Sequence, residues 1–168
     1  MVSTEAGQQS LRNPIIVAVT VAVAAAIGGG LLTNLGSWYF ALKQPSWKPP
    51  DWLFGPAWTT IFACAATAGV LAWRNADTSK SRTTIIALFA INFACNSLWS
   101  LLFFKLQRPD WALMEVGFLW LSIAALMWFL RPLSKAASLL LLPYLLWVSF
   151  ASILNWAIVQ MNAPFLGV

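Results

Sequence analysis

Histidine is absent from this chain of 168 residues, and charged residues are scarce. Only 9% of the residues are charged, compared with about a quarter in an average soluble domain. Because histidine is the commonest general base and a frequent metal ligand, its absence argues against a His-ligated haem, a zinc site and a Ser-His-Asp hydrolase. The two cysteines, Cys64 and Cys95, both lie in apolar stretches, where no structural disulfide is expected. No metal and no cofactor is therefore expected.

The few charges are mostly basic and are scattered along the chain. The chain has ten lysines and arginines and five acidic residues. No cluster of basic residues resembles a nucleic-acid footprint or a polybasic lipid-binding patch. Nucleic acid is therefore not an expected partner. A hydrophobic fraction of 60% indicates instead that the partner of most of the surface is a lipid bilayer.

Apolar stretches in the sequence predict an all-α integral membrane bundle of five transmembrane helices, because a span needs roughly 20 apolar residues. The predicted spans are residues 15–35, 56–73, 84–104, 111–130 and 137–161. We expect a polar tail over 1–14, one transmembrane domain over 15–162 with a long first loop at 36–55, and a short tail over 163–168. The other connectors are short and favour antiparallel neighbours. Six basic residues on one side against four on the other favour a cytoplasmic N-terminus.

The long first linker is unusually rich in tryptophan and proline. Residues 38–59 read WYFALKQPSWKPPDWLFGPAWT and include the tryptophans Trp38, Trp47, Trp52 and Trp58. A plain loop would be polar, whereas these rings offer wide apolar surface and the four prolines stiffen the backbone that carries them. The pattern predicts a rigid aromatic lid over an apolar pocket.

The tryptophans are distributed unequally between the two sides of the predicted bundle. Seven fall on the side of the long linker, two on the opposite side and two near the middle. An interfacial aromatic belt would place similar numbers on both sides. Some of these rings are therefore expected to line a pocket that opens towards the linker.

Polar and aromatic side chains also repeat at four-residue spacing inside the spans, which places them on shared helical faces. These ladders are Asn92, Asn96 and Ser100; Trp147, Ala151 and Asn155; and Trp58 and Phe62. Buried amides are costly in hydrocarbon unless they are paired, so Asn96 and Asn155 are expected to face the bundle interior. Interhelical hydrogen bonds and contact with a ligand would each explain them.

Two further features of the spans suggest structural roles. Glu115 is the one acidic residue inside a predicted span, and no acid–base partner is evident for it. Its carboxylate is expected to reach the interface or to bond with a neighbouring helix. In the third span, Ala87, Ala90 and Ala94 permit close approach of another helix, which favours a homodimer formed through that span.

The linker closely resembles the hallmark sequence of the translocator protein family, also called tryptophan-rich sensory proteins or peripheral benzodiazepine receptors. Three more segments resemble the third, fourth and fifth helices of that family. They are NSLWSLLFF at 96–104, ALMEVGFLW at 112–120 and LPYLLWVSFASILN at 142–155. The similarity runs from Leu35 to Asn162.

This resemblance implies a five-helix membrane bundle, usually a homodimer, in the bacterial plasma membrane or an organelle membrane. Such proteins bind porphyrins and related tetrapyrroles, sterols and benzodiazepine-type ligands in a pocket under the first linker. Family pocket positions fall on Phe54, Trp58, Phe62, Asn96, Trp99, Trp147 and Ala151, to which the lid residues Trp47 and Trp52 are added as candidates. Ser46 departs from bacterial members that carry tryptophan there. The late fifth span (ILNWAIVQMN) lacks the tyrosine and basic residue of the sterol motif.

The function expected from these features is a membrane receptor for tetrapyrroles and related planar ligands, linked to tetrapyrrole or stress metabolism. One alternative is light-dependent porphyrin degradation, in which the resemblance implicates Trp58 and Trp147. Another is passive transport of the same ligands. The sequence has no proton-transfer set, so an enzyme is not the favoured interpretation.

Overall fold

A computed structural model describes Thr33 and residues 35–165 of the chain. All the regular elements in this part of the chain are helices, and four helical segments are long and apolar enough to cross a membrane. The predicted all-α membrane bundle is thereby confirmed. The predicted tail at 1–14 and the first span at 15–35 lie outside the described residues, except for Thr33 and Leu35.

The linker contains two short helical pieces before the first described span begins. Helix α1 covers Ser37–Ala41, and a 3₁₀ turn at Asp51–Leu53 leads directly into helix α2 at Phe54–Arg74. The predicted start at Pro56 was therefore late. A proline in the first turn costs no helical hydrogen bond, so the helix begins two residues before it.

Helix α3 covers Ser79–Ser100 and continues as a π-helical turn over Leu101–Lys105. It starts before the predicted span because the Thr78 hydroxyl accepts a hydrogen bond from the Ser81 N–H at 3.1 Å and caps the first turn. The predicted span began at residue 84, six residues after this cap, because only there do the residues become apolar.

Helix α4 covers Pro109–Leu133 and lies at the centre of the bundle. It contacts α3 and both helices that follow it. Its buried side chains, apart from the adjacent pair Glu115 and Val116, recur every three or four residues and form a continuous inward-facing stripe. The members of that stripe are Pro109, Ala112, Glu115, Val116, Leu119, Ile123, Leu126 and Leu130.

The predicted fifth span is divided into two helices, α5 at Lys135–Leu140 and α6 at Leu142–Asn162. The predicted span itself is confirmed, because the two helices together form one apolar segment of membrane-spanning length at Lys135–Asn162. Pro143 has no N–H to donate to the carbonyl four residues earlier, so the helix breaks just before it. Ser134 caps α5 by accepting from the Ala137 N–H at 3.2 Å.

The bundle has two ends with different cores. We call the end that carries the linker the linker end, and the end at the α2–α3 and α4–α5 connections the far end. At the far end, Ala68 and Ala72 of α2 pack against Ala137 of α5 with no exposed surface. At the linker end the core is aromatic, with Tyr39 and Phe103 among its buried residues.

Candidate functional site

A cavity of about 580 Å³ lies beneath the linker at the linker end of the bundle. Its wall is formed by the linker, α2, α3, α4 and α6. This volume falls within the roughly 300–1,000 Å³ of sites that bind small molecules. The cavity is therefore large enough for a ligand and is built almost wholly from residues far apart in sequence.

Seven of the nine residues predicted from the sequence to contact a ligand line this cavity. They are Phe54, Trp58, Phe62, Asn96, Trp99, Trp147 and Ala151. The other two predicted residues, Trp47 and Trp52, are not part of the cavity wall. Trp47 is 48% exposed and packs edge-on against Phe150, and Trp52 is 71% exposed on the outside of the linker.

Two tryptophans on different helices form the aromatic sides of the cavity. Trp58 of α2 stacks on Phe62 with ring centroids 5.3 Å apart and meets Tyr144 edge-on at 5.9 Å. Trp147 of α6 meets Phe54 edge-on at 5.4 Å. Because each ring is held by another aromatic ring, its face has a fixed orientation and is suited to stacking on a planar molecule.

The third cavity tryptophan, Trp99, stands at the π-helical turn that ends α3. It stacks on Phe103 at 5.1 Å and also meets Phe104 at 6.0 Å. Phe104 lies five positions after Trp99, and in an α-helix its side chain would point well away from Trp99. The wider π turn, marked by the hydrogen bond from the Leu106 N–H to the Leu101 carbonyl at 2.9 Å, brings Phe104 next to Trp99. Phe104 thereby becomes part of the cavity wall.

The two interior asparagines have different surroundings, although both are buried as expected. Asn155 bridges α6 to the start of α4, since its amide can donate to the Pro109 carbonyl and accept from the Leu113 N–H, each at 3.1 Å. Asn96 lines the cavity, and its side-chain oxygen has no hydrogen-bond partner among the described residues. Interhelical bonding therefore explains Asn155 and does not explain Asn96.

A charged group of the linker also reaches the cavity. The Asp51 carboxylate accepts a hydrogen bond from the Tyr39 hydroxyl at 2.7 Å and forms an ion pair with Lys48. The Lys48 ammonium lies over the Tyr39 ring, 5.2 Å from its centroid. Burial and the neighbouring Asp51 raise the pKa of the Tyr39 phenol, so Tyr39 stays a neutral hydrogen-bond donor.

The linker is fastened to α6 through its backbone. Asn162 accepts from the Lys43 N–H and donates to the Lys43 carbonyl, both at 2.8 Å. A side-chain amide thus pairs with both polar groups of one residue in the linker, as a neighbouring strand would. This contact fixes the linker to the last turn of α6.

In the part of the chain that the structure describes, the remaining buried polar groups do not form a conventional catalytic set. Glu115 is 6% exposed and faces the Cys95 thiol of α3, so the alternative in which it reaches the interface was wrong. Asn92 donates to the Ser122 hydroxyl at 2.8 Å. Among the described residues, no three His, Cys, Asp or Glu side chains are grouped in a way that could hold a metal ion.

Sequence reasoning missed several residues of the wall, for identifiable reasons. Tyr39 and Asp51 were read only as parts of the lid, because the folding of an irregular linker has no periodic signal. Phe104 was missed because four-residue spacing from Trp99 points to Phe103. Val116 and Leu119 of α4 are ordinary apolar residues, and nothing in their neighbourhood distinguishes them.

Comparison with known proteins agrees with this architecture. The sequence profile of the TspO/MBR family matches residues 16–161. The chain is 40% identical to the tryptophan-rich protein TspO of Chlorobaculum tepidum, over 92% of this chain and 98% of that protein. It is 36% identical to the tryptophan-rich sensory protein of Cereibacter sphaeroides, over 79% and 82% of the two chains. It is 33% identical to the translocator protein of Ovis aries, over 74% and 75%.

The profile match runs from the first predicted span to the end of the last helix, and it includes the linker and every helix that lines the cavity. Such coverage concerns the whole membrane bundle and not a single motif. This multi-pass integral membrane protein therefore belongs to the TspO/MBR family.

Proposed function

We propose that this protein binds planar, largely apolar ligands, foremost tetrapyrroles such as porphyrins, in the cavity beneath the linker. The observation that carries the proposal is the position of Trp58, Trp99 and Trp147. These rings come from three different helices and line one cavity of about 580 Å³. Flat conjugated molecules stack favourably on such rings. Sterols and benzodiazepine-type compounds are secondary ligand classes for the same space.

Titration with protoporphyrin IX in the dark tests this proposal. The protein in lipid nanodiscs should show saturable quenching of tryptophan fluorescence, since the pigment would lie against cavity rings. Trp58→Phe and Trp147→Phe should weaken binding, whereas Trp128→Phe should not, because Trp128 is 80% exposed on the outer face of α4. Absence of quenching below about 100 μM, which corresponds to only ~5.5 kcal/mol of affinity, would refute tetrapyrrole binding.

Light-dependent degradation of the bound pigment is a second candidate, favoured by the presence of Trp58 and Trp147 in the same wall. The protein itself would supply stacking and closure, while the pigment, light and oxygen would supply the chemistry. Repeating the titration under illumination separates the two functions. Loss of the pigment spectrum only in light, and only with both tryptophans present, supports degradation; a stable spectrum supports binding alone.

We also propose that two copies associate through α3. Ala87, Ala90 and Ala94 lie on one face of that helix and are exposed in the single chain. Small exposed residues at this spacing allow two helices to approach closely. Ala90→Phe should convert the dimer to a monomer in mass measurements by light scattering. Ala125→Phe, at an exposed position of α4, should leave the mass unchanged.

A further inference from the structure

Among the described residues that line the cavity, Asp51 alone carries a charge at neutral pH. Its side chain is 33% exposed, whereas that of its partner Lys48 is 11% exposed. Lys48 does not line the cavity. The Asp51 carboxylate therefore faces the space that a ligand would occupy, whereas the Lys48 ammonium lies outside the cavity wall.

The way in which Asp51 is held leaves one of its oxygens available. The Tyr39 hydroxyl and the Lys48 ammonium both contact Oδ1. None of the described residues donates a hydrogen bond to Oδ2. The carboxylate is thus anchored through one oxygen and keeps the other as an acceptor.

The surroundings of Asp51 also favour positive charge. Tyr39 meets Phe104 at 5.9 Å, Phe104 meets Trp99 at 6.0 Å, and all three rings line the cavity. Aromatic faces are electron-rich and attract cations. Lys48 over the Tyr39 ring is an example already present at this corner. A carboxylate bonded to Tyr39, the first of these three linked rings, disfavours an acidic ligand group and favours an ammonium or N–H donor.

We propose that Asp51 sets the charge selectivity of the cavity. The ligand directs a cationic or N–H donor edge towards the linker corner formed by Tyr39, Asp51 and Phe104, and its acidic groups are excluded from that corner. This inference rests on the proposed function only in assigning a ligand to the same cavity. It adds the orientation of that ligand and the residue that selects it.

Three pyrene probes that differ only in charge test the inference without using a tetrapyrrole. They are 1-pyrenemethylammonium, 1-pyrenemethanol and 1-pyrenecarboxylate. Binding to the full chain in nanodiscs of zwitterionic lipid is followed by energy transfer from tryptophan, with empty nanodiscs subtracted. The wild type should prefer the ammonium to the alcohol and the alcohol to the carboxylate. In Asp51→Asn the ammonium should bind about tenfold more weakly and the carboxylate about tenfold more tightly, with the alcohol unchanged within about twofold.

Lys48→Met is the matched control, because it removes the opposite charge from the same ion pair. It should increase the preference for the ammonium, which is the reverse of the Asp51→Asn effect. A linker that is merely loosened would shift all three probes in the same direction in both variants. Such a uniform shift, or a lack of saturable binding by every probe, would overturn the inference.

Protoporphyrin IX and its dimethyl ester then separate this inference from the proposed function. Both carry the same ring, but only the first carries carboxylates, so Asp51→Asn should tighten binding of the acid and leave the ester unchanged. Charge-selective pyrene binding without porphyrin binding would refute the proposed function and support the role of Asp51. If Asp51→Asn leaves porphyrin binding unchanged and the pyrene probes bind without regard to charge, the proposed function is supported and the role of Asp51 is refuted.

Discussion

The far end and the linker end of this bundle use the same four described spans but differ in packing. At the far end, alanines at positions 68, 72 and 137 let α2 and α5 approach until no surface is exposed. At the linker end, Trp58, Trp99 and Trp147 each pack against another aromatic ring and surround a cavity. Small residues allow helix backbones to close together, whereas large rings of fixed orientation leave unfilled space. One end is therefore closely packed, whereas the other encloses a cavity.

The sharpest test of this difference places the same substitution at both ends. Ala72 is completely buried at the far end, so Ala72→Leu should lower the free energy of unfolding by roughly 1–3 kcal/mol through overpacking. Ala151→Leu extends into the cavity and should change stability little while weakening protoporphyrin IX binding. Thermal unfolding in detergent and the dark titration measure the two effects. Equal destabilisation by both substitutions would contradict the distinction between the ends.

The two interior asparagines should differ in a similar way. Asn155→Ala removes a bridge that satisfies two backbone groups of α4, which should cost about 1–3 kcal/mol of unfolding free energy. Asn96→Ala removes an oxygen without a described partner, so stability should change less. The denaturation midpoints of the two variants provide the measurement. A larger loss for Asn96 would show that its amide has the greater structural role.

Phe104 tests whether the π turn contributes to the cavity. Phe104→Ala removes a ring from the wall and from contact with Trp99, which should reduce pigment affinity about three- to tenfold, or ~0.5–1.5 kcal/mol. Phe93 on the same helix is 39% exposed and is not part of the wall, so Phe93→Ala is the control. If the two variants bind the pigment equally well, Phe104 has no part in recognition.

The smallest effect is expected where the linker is fastened to α6. Asn162→Ala removes both hydrogen bonds to the Lys43 backbone, so amide hydrogen exchange over residues 38–48 should accelerate by an amount equivalent to about 0.5–1.5 kcal/mol. Asn75→Ala removes a comparable side-chain bond to the Leu133 carbonyl at the far end. It should leave exchange in the linker unchanged. Faster exchange in both variants would indicate general loosening of the bundle.

Much of the architecture could be predicted because it follows from local composition. The spans at 56–73, 84–104 and 111–130 have counterparts in α2, α3 and α4, since long apolar runs have few alternatives to membrane helices. The ladder of Trp58 and Phe62 also lies on one face, as helical spacing requires. The fifth predicted span, at 137–161, has its counterpart at Lys135–Asn162, although the apolar run continues through Pro143 and gives no sign of the break between α5 and α6.

The cavity wall was less predictable, since it depends on contacts between distant segments. Trp47 and Trp52 carry the same signal as Trp58, yet the fold of the linker directs them away from the cavity. Asp51 enters the wall because Tyr39, twelve residues earlier, holds its carboxylate. Asn96 and Asn155 have the same side chain, and only their neighbours give them different roles.

The sequence by itself determined the membrane class, the helical spans and a concentration of tryptophan at one end, because hydrophobicity and helical spacing act over short distances along the chain. The tertiary structure decided which rings line the cavity, which asparagine bridges two helices, and that Asp51 faces inwards while Lys48 does not. Those outcomes depend on the registers of helices and on the path of an irregular linker. Both are fixed by packing between residues far apart in the chain.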